Sequence, residues 1–181
     1  MALEHALLVS LSERPAAGLE LTRRFERSIG FFWAATHQQI YRTLARMEAD
    51  GWVSSTVVSQ QGRPDKKVYA VSPQGQDVLA AWLTTPSPQP NPRSDLSVKM
   101  RGASFAADRD AVLDVVRADL AEHRTRLAYY QQLEKRDYPT PGTLNGLELD
   151  QHLVLRGGIR LEEFWVSWLE EYLHAHERPT S

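Results

Sequence analysis

Apolar positions in the N-terminal half recur at helical spacing in three short blocks, and then the period changes. Leu3, Leu7, Leu8 and Leu11 share one stripe, so residues 3–13 are predicted as a helix. Pro15, Ala16, Ala17 and Gly18 break it, and residues 19–28 form a second helix with Leu21 and Phe25 one turn apart. The aromatic run Ile29, Gly30, Phe31, Phe32 and Trp33 reads as a connection that plugs a core. The third block, residues 36–52, carries Ile40, Leu44 and Met47 at steps of four and three. Thr36 and Gln39 fit a capping box at its start, and Gly51 is placed to end it in a left-handed turn. Residues 53–59 are rich in Val, Ser and Thr, which favours a strand. Gln60 to Asp65, with Gly62 and Pro64, reads as a turn, and Lys66 to Ser72 as the returning strand. Ser72 and Pro73 then cap a fourth helix carrying Val78, Leu79, Trp82 and Leu83.

Residues 86–92 place proline at every second position, which favours extended polyproline geometry and marks a linker over residues 86–94. It divides a domain at 1–85 from one at 95–181. Beyond it, residues 96–106 read as a short helix. Asp108 and Asp110 introduce a long one ending near Asp137. Leu113, Val116, Leu120, His123, Leu127 and Tyr130 step by three and four, the seam of a coiled pair. A turn at 138–145 leads to a last helix over 147–174, with Leu161, Phe164, Trp165, Trp168, Leu169 and Tyr172 as a wide apolar stripe. Gly157 and Gly158 would kink that helix or let another cross it closely. Two helices cannot bury all of these stripes on each other, so a second copy of the chain is expected to cover the rest. The fold expected is mostly α with a small β-hairpin: a winged helix-turn-helix followed by an α-helical coiled dimerisation domain.

Composition narrows the function classes. The 181 residues include no cysteine, which excludes disulfides and thiolate zinc sites, and a reducing cytoplasm is the natural location. No apolar run is long enough to cross a membrane. Net charge is -2, too little for bulk coating of a polyanion. The first 85 residues hold nine Lys/Arg against eight Asp/Glu and the remainder twelve against fifteen, so the N-terminal half is the better candidate to meet nucleic acid.

The third helix carries the candidate chemistry. Its polar face presents Gln38, Gln39, Arg42, Thr43 and Arg46, and amide and guanidinium groups pair bidentately with purine edges in the major groove. Thr36, His37, Gln38, Gln39, Tyr41, Arg42 and Arg46 are the candidate recognition-helix residues. Taken alone, such a helix is better explained as an ordinary solvated surface. The hairpin with Arg63, Lys66 and Lys67 at or near its tip makes the order helix, helix, helix, hairpin, helix specific to a winged helix. Arg23, Arg24 and Arg27 on the second helix are further candidates for phosphate contact. Trp33, Trp82, Trp165 and Trp168 are candidates by type for an effector pocket, against plain core packing. No nucleotide-binding loop, metal-ligand spacing or catalytic set is present, so neither cofactor, metal site nor enzyme activity is expected. His123 in the seam is a candidate pH-sensitive group.

These residues resemble the PadR-type transcriptional regulators. The resemblance rests on Leu3-Glu4-His5-Ala6-Leu7-Leu8, Gly18-Leu19-Glu20-Leu21, Phe32-Trp33, Gln39-Ile40-Tyr41-Arg42-Thr43-Leu44, Met47-Glu48-Ala49-Asp50-Gly51-Trp52 and Tyr69-Ala70-Val71-Ser72-Pro73-Gln74-Gly75. Leu19 departs from it, standing where the family commonly has an aromatic residue. Length and helical pattern make the C-terminal half similar to the longer members, whose last helices form an antiparallel dimerisation domain. The resemblance implies a homodimer that binds double-stranded DNA at a palindromic operator, usually represses, and is released by a small-molecule effector or stress signal. The alternatives are a regulator switched by a protein partner or a proton, and a winged helix serving only as a protein-interaction scaffold.

Overall fold

The computed structural model describes residues 2–26, 35–60, 63–87 and 94–177. The aromatic run at 29–33, the hairpin turn at 61–62 and most of the proline-rich stretch lie outside the described residues. The chain divides into two compact units, Met1–Gln89 and Pro90–Ser181.

The first unit runs α1 (Ala2–Glu13), β1 (Ala16–Ala17), α2 (Gly18–Glu26), α3 (His37–Ala49), β2 (Val53–Gln60), β3 (Arg63–Val71) and α4 (Pro73–Leu83). Its core collects the stripes expected of the three helices: Leu7, Leu8, Leu11, Leu21, Phe25, Ile40, Leu44 and Met47, closed by Val53, Tyr69 and Leu79. The sheet has three antiparallel strands in the order β1-β3-β2, one more than the hairpin expected. The break after α1 supplies the third, with Ala16 and Ala17 opposite Tyr69 and Val68. Two small residues escaped notice because a strand that short has no period to read.

Arg24, a candidate for phosphate contact, is engaged within the first unit. Its guanidinium donates to the Ser10 carbonyl at 2.6 Å, the Arg14 carbonyl at 2.7 Å and the Ser10 hydroxyl at 3.2 Å. A cation at the carbonyl end of α1 satisfies acceptors that the helix itself leaves unpaired. Arg23 remains exposed, and Arg27 lies outside the described residues.

α3 ends as its sequence requires. Gly51 has φ +76°, Trp52 N–H donates to the Met47 carbonyl at 2.8 Å, and Gly51 N–H donates to the Glu48 carbonyl at 3.1 Å. This is the double bond of a Schellman cap, open to glycine because no Cβ opposes a left-handed backbone. Ser72 joins this end of α3 to α4. Its hydroxyl accepts from Gly75 N–H at 3.0 Å and donates to the Gly51 carbonyl at 2.5 Å.

The second unit holds α5 (Asp95–Gly102), a short 3-10 turn at Ala103–Phe105, α6 (Arg109–Asp137) and α7 (Gly146–Glu177). Asp108 caps α6 through Ala111 N–H at 3.1 Å. α6 and α7 pair antiparallel, with Arg124 facing Glu170 and Glu134 facing His152. Leu113, Val116, Leu120, His123 and Tyr130 are buried along the seam and Leu127 is half-buried. Glycine is not required where α7 meets α6: a Cβ at Gly158 would touch the Tyr130 ring at 3.6 Å, an ordinary packing contact, and one at Gly157 would meet nothing within 4 Å. His123 is not a lone polar group in the seam. Its Nδ1 lies 2.5 Å from Glu162 Oε2, Arg126 Nε donates to Glu162 Oε1 at 3.2 Å, and the ring stacks on Trp165. Of the wide stripe on α7 only Leu169 is buried. Trp165, Trp168 and Tyr172 are half-buried, while Leu161 and Phe164 are each 56% exposed.

Candidate nucleic-acid interface

α3 is oriented by what it buries. Ile40, Leu44 and Met47 are fully enclosed, and Thr43 joins them at 8% exposure. Thr43 therefore leaves the polar face on which the sequence placed it. At three residues from Ile40 it sits on the margin of the apolar stripe, and its methyl group suits it to burial. Thr36, His37, Gln38, Gln39, Tyr41, Arg42 and Arg46 are exposed.

These exposed residues are not equivalent. The capping box forms on both sides: Thr36 Oγ1 accepts from Gln39 N–H at 3.2 Å, and Gln39 Oε1 accepts from Thr36 N–H at 2.8 Å. The Gln39 carbonyl oxygen is thus engaged at the helix start. Arg46 forms an ion pair with Glu4, which is buried on α1. The Tyr41 ring lies over Gly18, where an added Cβ would meet it at 2.4 Å. Gln38 and Arg42 are exposed and, among the described residues, make no hydrogen bond or ion pair. They present uncommitted donors to solvent.

The hairpin differs from the expectation in one functional respect. β3 begins at Arg63, so the turn is shorter than the one read at 60–65. In register, Lys66 stands opposite Val58 and Lys67 opposite Val57. Both lysines therefore lie along the strand and not at the tip. Lys66 Nζ donates to Glu20 Oε2 on α2 at 3.1 Å, and Lys67 Nζ donates to Glu48 Oε2 on α3 at 2.7 Å. Ser55 Oγ on β2 donates to the other oxygen of Glu48 at 2.5 Å. The Lys67 hydrogen bond, with that of Ser55, holds the Glu48 carboxyl below the usual carboxylate range. Lys66 does the same to Glu20. Glu20, Glu48 and Ser55 were absent from the residues expected to matter. Glu48 and Lys67 are 19 positions apart, and no helix or strand spacing rule links them.

Of the four tryptophans considered for a pocket, Trp33 lies outside the described residues. Trp82, in the first unit, stacks on His5 at 4.6 Å between ring centroids. Trp165 and Trp168, in the second, lie 5.3 Å apart, with Phe164 against both. Among the described residues no group of His, Cys, Asp and Glu could hold a metal ion, and no helix is long and apolar enough to cross a membrane.

Residues 7–81 match the model of the transcriptional regulator PadR-like family, and residues 92–177 match that of the virulence activator alpha C-terminal domain. A probable transcriptional regulator of Mycobacterium tuberculosis is 49% identical over 97% of this chain and 97% of its own. The negative transcriptional regulator PadR of Bacillus subtilis is 25% identical over 94% of this chain and 95% of its own. Its crystal structure in complex with operator DNA superposes with a TM-score of 0.84, covering 97% of this chain and 99% of that one. The Vibrio cholerae virulence activator AphA superposes with a TM-score of 0.79 at 30% identity, over 96% of each chain.

Proposed function

Because the chain belongs to the PadR-like family of transcriptional regulators, we propose that it is a homodimeric, sequence-specific repressor that reads a palindromic operator through α3 and is released by a small-molecule effector or stress signal. The observation that carries the DNA reading is the exposed, uncommitted pair Gln38 and Arg42 on a helix anchored from behind by Ile40, Leu44 and Met47. These are the side-chain types that read adenine and guanine. The relative bound to operator DNA supports the same use of the fold, and the negative regulator supports repression. The hairpin is the wing, and Arg63 is assigned to phosphate contact by residue type alone.

The dimer reading rests on α7. Leu147, Val154 and Leu161 follow one another at steps of seven, and all three are exposed, as is Phe164 one turn beyond Leu161. A neighbouring face, with Leu155, Ile159, Leu169 and Leu173, is buried, and its Leu169 and Leu173 pack with Leu113, Val116 and Leu120 of α6. An α-helix that carries two apolar faces in one chain has a second surface to cover, and a heptad step is what a partner helix covers. Residues 95–181 are therefore assigned to dimerisation and residues 1–85 to DNA binding, joined by the linker at 86–94. The aromatic group of Phe164, Trp165 and Trp168 is the candidate floor of an effector site.

Replacing Arg42 by alanine is expected to relax base preference by about 1–3 kcal/mol at one operator position, with little change elsewhere. Replacing Arg63 by glutamine is expected to weaken binding on all sequences and reduce the salt slope by about 0.9. Anisotropy titrations on operator variants at several salt concentrations separate the two. A uniform loss for Arg42→Ala would make that residue a backbone contact and remove it from base readout.

A further inference from the structure

Two lysines of the wing, of the type that usually meets phosphate, are already committed to carboxylates of the helix-turn-helix. Lys66 and Lys67 are successive on β3, so they leave the strand on opposite faces. Lys66 reaches Glu20 on α2, and Lys67 reaches Glu48 on α3. Glu48 gathers one residue from each strand, Lys67 from β3 through Oε2 and Ser55 from β2 through Oε1. A single carboxylate on α3 thus fastens both strands of the hairpin. The Lys67 ammonium also lies 5.2 Å from the ring centroid of Tyr69, a core residue on the same strand face.

We propose that Lys67 and Glu48 are positioning residues of the DNA interface: their pair, with Ser55, sets the pitch of the wing against α3, and Lys67 does not bind phosphate. The inference rests on the DNA-binding reading above. Moving Lys67 to a phosphate would exchange one ion pair for another and leave the Glu48 carboxylate uncompensated beside a polyanion. The exchange offers little net gain in binding. An exposed ion pair contributes little to stability. Its value here is geometric, because contacts to the DNA backbone fix the register in which α3 meets the bases.

The test is a charge swap in the full chain. Lys67→Glu, Glu48→Lys and the double variant are titrated on the duplex that wild type retains best from a random-sequence pool. Lys67→Gln is titrated on the same duplex across salt concentrations. Lys67→Glu sets two carboxylates side by side and is expected to weaken binding about tenfold. The double variant restores the pair in reverse and is expected to return to within about threefold of wild type. Its ammonium, now on α3, can still meet both the Ser55 hydroxyl and the carboxylate now on β3. Lys67→Gln is expected to leave the salt slope unchanged. A phosphate-binding lysine would give the opposite results: no rescue by the double variant and a slope smaller by about 0.9. Either of those results, or full affinity for Lys67→Glu, overturns the proposal. Amide exchange of β2 and β3 without DNA gives a second readout: Lys67→Glu should lose protection there and the double variant regain it. If wild type enriches no duplex, the DNA-binding reading fails by itself, and the exchange data alone decide whether the pair holds the hairpin.

Discussion

Leu44→Ala is expected to destabilise the first unit by about 2–5 kcal/mol, the range for emptying a fully enclosed leucine site. Leu44 is at 0% exposure in the middle of α3, between Ile40 and Met47 and facing α1. The loss has two parts: the transfer of the missing methyl groups and the cavity they leave. Neighbouring side chains cannot close that cavity cheaply, because α3 is fixed at both ends by the capping box at Thr36 and the Schellman bonds at Gly51. Loss of α3 would carry DNA binding with it. Amide exchange of α1 and α3 is the measurement, since a whole-chain melting curve mixes two units. Arg42→Ala, two residues away on the exposed face, should leave the same amides unchanged. A change below about 1 kcal/mol for Leu44→Ala would mean that α3 is not anchored by its apolar stripe.

The second large effect is expected at Gly75. It is buried in the first turn of α4, and an added Cβ would sit 2.0 Å from the Trp52 carbonyl oxygen and 2.9 Å from its carbon. That carbonyl also accepts from Ser72 N–H at 3.0 Å, so it cannot move without loosening the cap of α4. Gly75→Ala is expected to cost about 1–3 kcal/mol or more, as forced overpacking does. Gly18 makes a useful contrast. A Cβ there also comes close, at 2.4 Å, but it meets the outer atoms of the Tyr41 ring. Tyr41 is exposed and can turn away, so Gly18→Ala is expected to change the DNA-facing surface more than the fold. Amide exchange of α3 and α4 in the two variants checks the ranking. Equal destabilisation would show that Tyr41 is fixed in place.

What the sequence revealed follows the range of the interactions. Caps act within four residues, and Thr36 with Gln39, Gly51, and Ser72 with Pro73 were each legible and each formed. Helical stripes act over a turn or two, and the seam from Leu113 to Tyr130 could be read from its steps. Caps, stripe and strand composition located α3 and the wing, and the family resemblance, carried by strings such as Met47 to Trp52, agreed with them. Long-range polar pairs were not legible. Arg24 reads in sequence as a surface cation, whereas its guanidinium reaches back to the Ser10 and Arg14 carbonyls. The sequence places Lys66 and Lys67 at or near the wing tip, while β3 already starts at Arg63, and their partners on α2 and α3 have no sequence signature. Thr43 was misplaced for a different reason. Its hydroxyl classed it as polar, while its position at the edge of the stripe decided its burial.

If α3 reads base sequence, the purified full chain selects particular duplexes from a random pool. Anisotropy on the winner and on a scrambled control at physiological salt follows the selection. The sequence expected is two-fold symmetric, with half-sites about one helical turn, or a multiple of it, apart. Preference over the scrambled duplex is expected to be about a thousandfold or more. Enrichment of no sequence, with equal binding to both duplexes or none at low salt, would contradict base reading by α3 and leave the winged helix as a protein-interaction scaffold.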